Sequence, residues 1–137
     1  MQLNQLDKSN YFRAMLLLSG KDKKISNEER TFIDMLGQKL GFEESFRRQA
    51  INSFFENDYI KNEPPQFSTP EIAKSFIRDG IKLIKTDPKL HQQEIDWLVK
   101  VAFVNGIDET FIYDELAKSE NLRLTETEKQ LEIDNYL

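Results

Sequence analysis

The chain contains no cysteine, so disulfides and thiolate-held metals are excluded. That composition fits a reducing compartment without requiring one. Glycine and proline are scarce, at five and four of 137 residues, which favours helices over a turn-rich architecture. No long hydrophobic run is present. The first apolar stretch, Ala14–Leu18, falls far short of the roughly 20 residues that span a bilayer, and no small-residue cleavage site follows it. No direct membrane insertion and a cytoplasmic location are therefore expected. An excess of positive charge is also missing: 19 basic residues face 24 acidic ones, for a net charge of −5. A general nucleic-acid binder needs a basic face, so that class is set aside. The length suits one domain, which buries roughly two thirds of its unfolded surface and needs no metal to fold.

What the chain does have is helical periodicity almost throughout, with no stretch that alternates like a strand. The spacing predicts an all-α fold of about seven helices. The first runs from about Ser9 to Ser19, with Gly20 behind it. The second starts at Ser26 and ends before Gly41. The third spans Glu43 to about Glu56 and aligns Phe46, Ala50, Ile51, Phe54 and Phe55. The arginine pair Arg47–Arg48 reads as a solvated helix face. Next, "NDYIKNEPPQFSTP" breaks the pattern, because adjacent prolines force extended backbone. Its aromatics, Tyr59 and Phe67, make it a connection between packed halves rather than a free linker. Thr69 and Pro70 form a favoured N-cap and first-turn pair for a fourth helix. The fifth begins at Pro88 or Gln92, ends at Asn105 before Gly106, and is apolar nearly all round, as in a centrally buried helix. A sixth runs from Asp108 to about Lys118. In the tail, 120–137, Thr125 and Glu128 offer a capping box, followed by Leu131, Ile133 and Tyr136.

The two halves repeat one pattern. Aligning Asp22 with Asp87 sets an offset of 87 − 22 = 65 residues. At that offset Glu29 meets Glu94, Phe32 meets Trp97, Ile33 meets Leu98 and Gly41 meets Gly106. Repeat one covers about 9–57 and repeat two about 69–119. One unit alone cannot bury its apolar face, so two are expected to pack together with approximate twofold symmetry.

In these residues the chain resembles the tellurite-resistance TerB-like family. The first half reads "KDKKISNEERTFIDMLGQKLGF" and the second "TDPKLHQQEIDWLVKVAFVNGI". The resemblance spans roughly Tyr11 to Leu116. It implies a compact bacterial all-α module of two pseudo-repeated halves, mostly cytoplasmic, tied to stress response. It also implies divalent-metal binding through acids of both loops: Asp22 and Glu29, with Asp87 and Glu94. A protein partner is implied too, of the kind represented by the membrane protein TerC. The family usually has glycine after the loop aspartate, whereas Lys23 and Pro88 stand here. Proline cannot adopt a left-handed turn, so the second loop is expected to turn differently.

Carboxylates without cysteine suit hard ions, which favours Ca²⁺, Mg²⁺ or Mn²⁺ over Zn²⁺. The spacing is not that of an EF-hand. A purely structural reading stands beside the metal one. Ser26-x-x-Glu29 is a capping box, Asp87 before Pro88 is a good N-cap, and acids near helix starts favour the macrodipole. Lys21, Lys23, Lys24 and Lys89 offer neutralisation without metal. His91 is the one histidine and reads as a solvated helix-start residue rather than a catalytic base. Neighbouring acids such as Glu28 and Glu29 point about 100° apart on a helix and make no acid–base pair. Trp97 reads as core. The sequence thus predicts a non-enzymatic module with no catalytic residues. The alternative is a metal-free adaptor with a helical groove, or a phenylalanine-rich face near Phe54 and Phe55, for a partner helix.

Overall fold

The computed structural model describes residues 3–22, 25–54, 63–86, 92–118 and 131–137. Among them are six α-helices and no strand: α1 (Gln5–Ser19), α2 (Asn27–Lys39), α3 (Glu44–Asn52), α4 (Pro70–Ile84), α5 (Gln92–Val104) and α6 (Thr110–Lys118). Two 3-10 turns, Gly20–Asp22 and Glu132–Tyr136, complete the described structure. The expected tail capping box at Thr125 and Glu128, together with Phe55, Tyr59 and His91, lies outside the described residues. The described end of the chain is a 3-10 turn, Glu132–Tyr136.

Local chemistry explains most boundaries. The Asp7 amide donates to Asn4 Oδ1 at 2.7 Å, so α1 starts at Gln5 rather than near Ser9. The residues before Ser9 carry little hydrophobic signal, but Asn4 caps them. For α2 the expected capping box is present. The Glu29 amide donates to Ser26 Oγ at 3.1 Å, and the Ser26 amide donates to Glu29 Oε1 at 3.0 Å. Thr69 caps α4 by accepting from the Ile72 amide, with Pro70 at the first position.

Gly41 and Gly106 end α2 and α5 with positive φ of 88° and 71°. Their neighbours close the same pair of bonds. Gly41 N–H donates to Gln38 O and Phe42 N–H to Gly37 O; Gly106 N–H donates to Phe103 O and Ile107 N–H to Ala102 O. A Cβ at either glycine would meet nothing within 4 Å, so only backbone strain opposes one. Gly41→Ala and Gly106→Ala are each expected to destabilise the fold by about 1 kcal/mol, and by similar amounts. Chemical denaturation of the two variants checks this, and a neutral effect at either site would contradict it.

A single buried cluster runs from Leu3 to Ile133 and takes residues from every helix. Tyr11, Phe67, Phe76 and Trp97 form its aromatic centre, with successive ring centroids 5.2–6.2 Å apart. Helix α1 packs on α2, α4 and α5, and α4 packs on α1, α2, α5 and α6. The described segment before α4 is stitched down. Phe67 N–H donates to Asn105 Oδ1, Asn105 Nδ2 donates to Pro65 O, and Ser68 donates to the buried carboxylate of Asp7 from both its amide and its hydroxyl.

Three expectations are corrected. Helix α5 is not buried all round: Phe103 is 82% exposed and Val104 is also open, because neighbours cover the face of Glu94, Ile95, Trp97, Leu98, Val101 and Ala102 but not its C-terminal outer side. On α3, Ile51 is buried but Phe46 is half exposed, because Phe46 lies at the rim of a surface groove beside Phe12 and Phe42 rather than inside the core. Arg47 is not a solvated arginine. It is 9% exposed, with Nε 2.9 Å from Asp34 Oδ1 and Nη1 donating to Phe42 O at 2.6 Å; Arg48 is the solvated one. No described helix is long and apolar enough to cross a membrane.

Candidate functional site

Of the four acids singled out by spacing, Glu29 and Glu94 have described side chains. The side chain of Asp22 and all of Asp87 lie outside the described residues. Glu29 and Glu94 both sit in the first turn of their helices, and both are buried. The capping box engages one oxygen of Glu29. The Gly20–Asp22 turn packs against α5, where Lys21 Nζ lies 5.1 Å from the Trp97 ring centroid, one turn after Glu94. Burial, and then the charge of Lys100 on the same helix, lowers the Lys21 ammonium from its usual value. The turn that carries Asp22 thus meets the helix that carries Glu94, whereas sequence spacing pairs Asp22 with Glu29 of its own half. Among the described residues no group of three or more histidines, cysteines, aspartates or glutamates is arranged to hold a metal ion.

A second polar centre is one that the sequence analysis does not single out. Asp79 on α4 is fully buried and accepts three hydrogen bonds. Tyr11 Oη–H donates to Oδ2 at 2.6 Å, the Ile133 amide donates to Oδ2 at 3.1 Å, and the Glu132 amide donates to Oδ1 at 2.7 Å. Ser75 Oγ lies 2.9 Å from Tyr11 Oη, and Lys82 Nζ approaches Asp79 Oδ1 at 4.0 Å. Burial opposes the carboxylate while the donors and Lys82 favour it. Burial wins and raises Asp79 to a pKa of about 6. Burial, followed by the nearby charge of Asp79, raises the Tyr11 phenol well above its usual value. A signal for this centre exists in the sequence: Ser75 and Asp79 lie four residues apart on the apolar stripe of Ile72 and Phe76, where polar side chains require partners.

A third feature is an apolar groove of about 230 Å³ between α1 and α3, floored by Phe12 and Leu16 and walled by Phe42, Phe46 and Phe54. The Phe42 centroid lies 5.3 Å from Phe12 and 5.2 Å from Phe46. Such a groove takes an apolar side chain. Ser9 and Arg13 are the polar residues of its lining. Set against family models, curated proteins and solved structures, the chain matches none of them.

Proposed function

We propose that this chain is a non-enzymatic TerB-like module whose halves are two copies of one three-helix unit, and that it binds a divalent cation at its acidic loops. Several coincidences support the duplication. Shifting α1 by 65 residues gives 70–84, the bounds of α4, and shifting α2 gives 92–104, the bounds of α5. The positive-φ glycines obey the same shift, as 106 − 41 = 65. So does the end of the first helix of each half: Gly20 N–H donates to Leu16 O and Leu18 O, and Lys85 N–H to Ile81 O and Leu83 O. Packing is reciprocal, with α1 on α5 and α2 on α4. Tyr11 and Phe76, which are 76 − 11 = 65 apart, touch each other, as equivalent residues do on a twofold axis.

The observation that carries the cation reading is the seating of the Asp22 turn on the helix of Glu94. The proposed ligands remain Asp22, Glu29, Asp87 and Glu94, and the seating favours pairs formed across the halves. Carboxylate oxygens, with no thiolate in the chain, fit Ca²⁺, Mg²⁺ or Mn²⁺. The cation would bridge the halves and couple binding to stability. The module would act in the cytoplasm, in a bacterial stress response such as tellurite resistance, with a TerC-like membrane protein as the kind of partner.

Chelator-treated protein titrated with each metal tests the reading. At a hundredfold excess over Kd, binding is expected to add about 2.7 kcal/mol of stability and to raise the melting temperature accordingly. The Asp22→Asn, Glu94→Gln double variant is expected to show no rise. An unchanged melting temperature at millimolar metal would defeat the cation reading. A metal-free adaptor would then take its place. That reading is favoured by the Phe12–Phe42–Phe46 groove, whose lining fits the apolar face of a partner's amphipathic helix.

A further inference from the structure

Segment Leu131–Leu137 is bound to the helices much as a peptide ligand is bound to a receptor. Two aliphatic side chains, Leu131 and Ile133, are inserted and buried. Between them the consecutive amides of Glu132 and Ile133 converge on the single carboxylate of Asp79. Weaker contacts ring this centre: Lys39 Nζ to Asp134 Oδ1 at 3.0 Å, Lys82 Nζ to Glu132 Oε1 at 3.9 Å, and the Leu3 amide to Tyr136 O at 3.3 Å. An apolar anchor, a buried polar centre and a charged rim form the usual anatomy of a recognition site.

Asp79 is hard to explain without an occupant. A fully buried carboxylate is costly unless donors meet it, and two of its three donors are backbone amides of this one segment. On the duplication proposed above, its counterpart at 79 − 65 = 14 is Ala14, which is buried among apolar neighbours. The acid is therefore not required by the helical unit itself. The segment also leaves room. A cavity of about 290 Å³ remains beside Tyr136 and Leu137, walled by Lys8, Lys39 and Leu40.

We propose that the slot centred on Asp79 is a peptide-binding site, held in the resting chain by its own residues Leu131–Leu137, which fits a partner segment presenting two consecutive backbone amides between two aliphatic side chains. The cavity beside Tyr136 and Leu137 gives a bulkier partner side chain space that the chain's own segment leaves empty. Occupancy from within the chain keeps the slot closed until a competing segment displaces the resident one. The sequence places twelve residues, 119–130, between α6 and the segment.

Amide hydrogen exchange on the whole wild-type chain decides whether the segment is separable. The Glu132 and Ile133 amides are expected to be protected at least tenfold less than those of Phe76–Ile81 in α4, and to open while the α4 amides stay closed. Equal protection would make the segment an inseparable part of the core and overturn the proposal. A second measurement tests recognition. Labelled peptide of the sequence LEIDNYL is added to full-length Ile133→Asp, a variant that weakens the resident segment, and its fluorescence anisotropy is followed. Saturable binding at least tenfold tighter than to wild type is expected, and its loss in the Ile133→Asp, Asp79→Leu double variant. Absence of binding to an Ile133→Asp chain that keeps its helical circular dichroism would also overturn the proposal. If that variant does not fold, hydrogen exchange on the wild-type chain decides alone.

Discussion

Truncating Phe76 to alanine is expected to lower the unfolding free energy by about 4 kcal/mol and the melting temperature by roughly 15 °C. The ring is fully buried and joins three parts of the chain. It meets Tyr11 of α1 edge-on at 5.2 Å, Phe67 of the connecting segment at 5.5 Å and Trp97 of α5 at 6.2 Å. Removing it opens a cavity bounded by rigid rings, which relax poorly into the space. Denaturant unfolding measures the loss. A decrease below about 1 kcal/mol would show that the aromatic centre is not the keystone of the packing.

The second large effect depends on pH. Asp79 has a folded pKa of about 6 against an ordinary value of 3.8, so between these values the folded chain holds more protons than the unfolded one. Its contribution is fully present below pH 3.8 and is lost as pH rises through 6. At about 1.4 kcal/mol per pKa unit, the loss is on the order of 2–3 kcal/mol. Asp79→Asn cannot titrate. The stability of wild type minus that of Asp79→Asn is therefore expected to fall by this amount between pH 4 and pH 7. Taking the difference cancels the other carboxylates that both proteins share. Denaturation curves at several pH values provide the check, and a difference that stays flat or grows with pH would contradict the burial-dominated account. Tyr11 does not complicate the window, since its phenol is raised further above its usual range.

Local signals are readable where they act through neighbouring residues. Ser26 with Glu29, Thr69 with Pro70, and the glycines at 41 and 106 mark boundaries through hydrogen bonds within a few residues of each other, and the helices start and stop there. The start of α1 differs from expectation for the converse reason: its cap, Asn4, precedes any apolar periodicity. Burial is harder to read. Phe46 and Ile51 both belong to the apolar pattern of α3, yet they lie about 140° apart around the helix: Ile51 faces the core, while Phe46 packs on the Phe12 and Phe42 rings at the surface and stays half exposed. Arg47 looks solvated until Asp34 and the Phe42 carbonyl are brought to it from other elements.

Sequence alone determined that the chain is helical, where most helices begin and end, and that Asp22, Glu29, Asp87 and Glu94 recur at one spacing, because these are properties of short windows or of arithmetic between them. Tertiary structure alone decided which elements meet. It seats the Asp22 turn on the helix of Glu94, and it brings Tyr11, Asp79 and the amides of Glu132 and Ile133 to one buried point. The physical reason is that a buried charge is tolerated only where distant donors converge on it, and convergence is set by packing rather than by spacing along the chain.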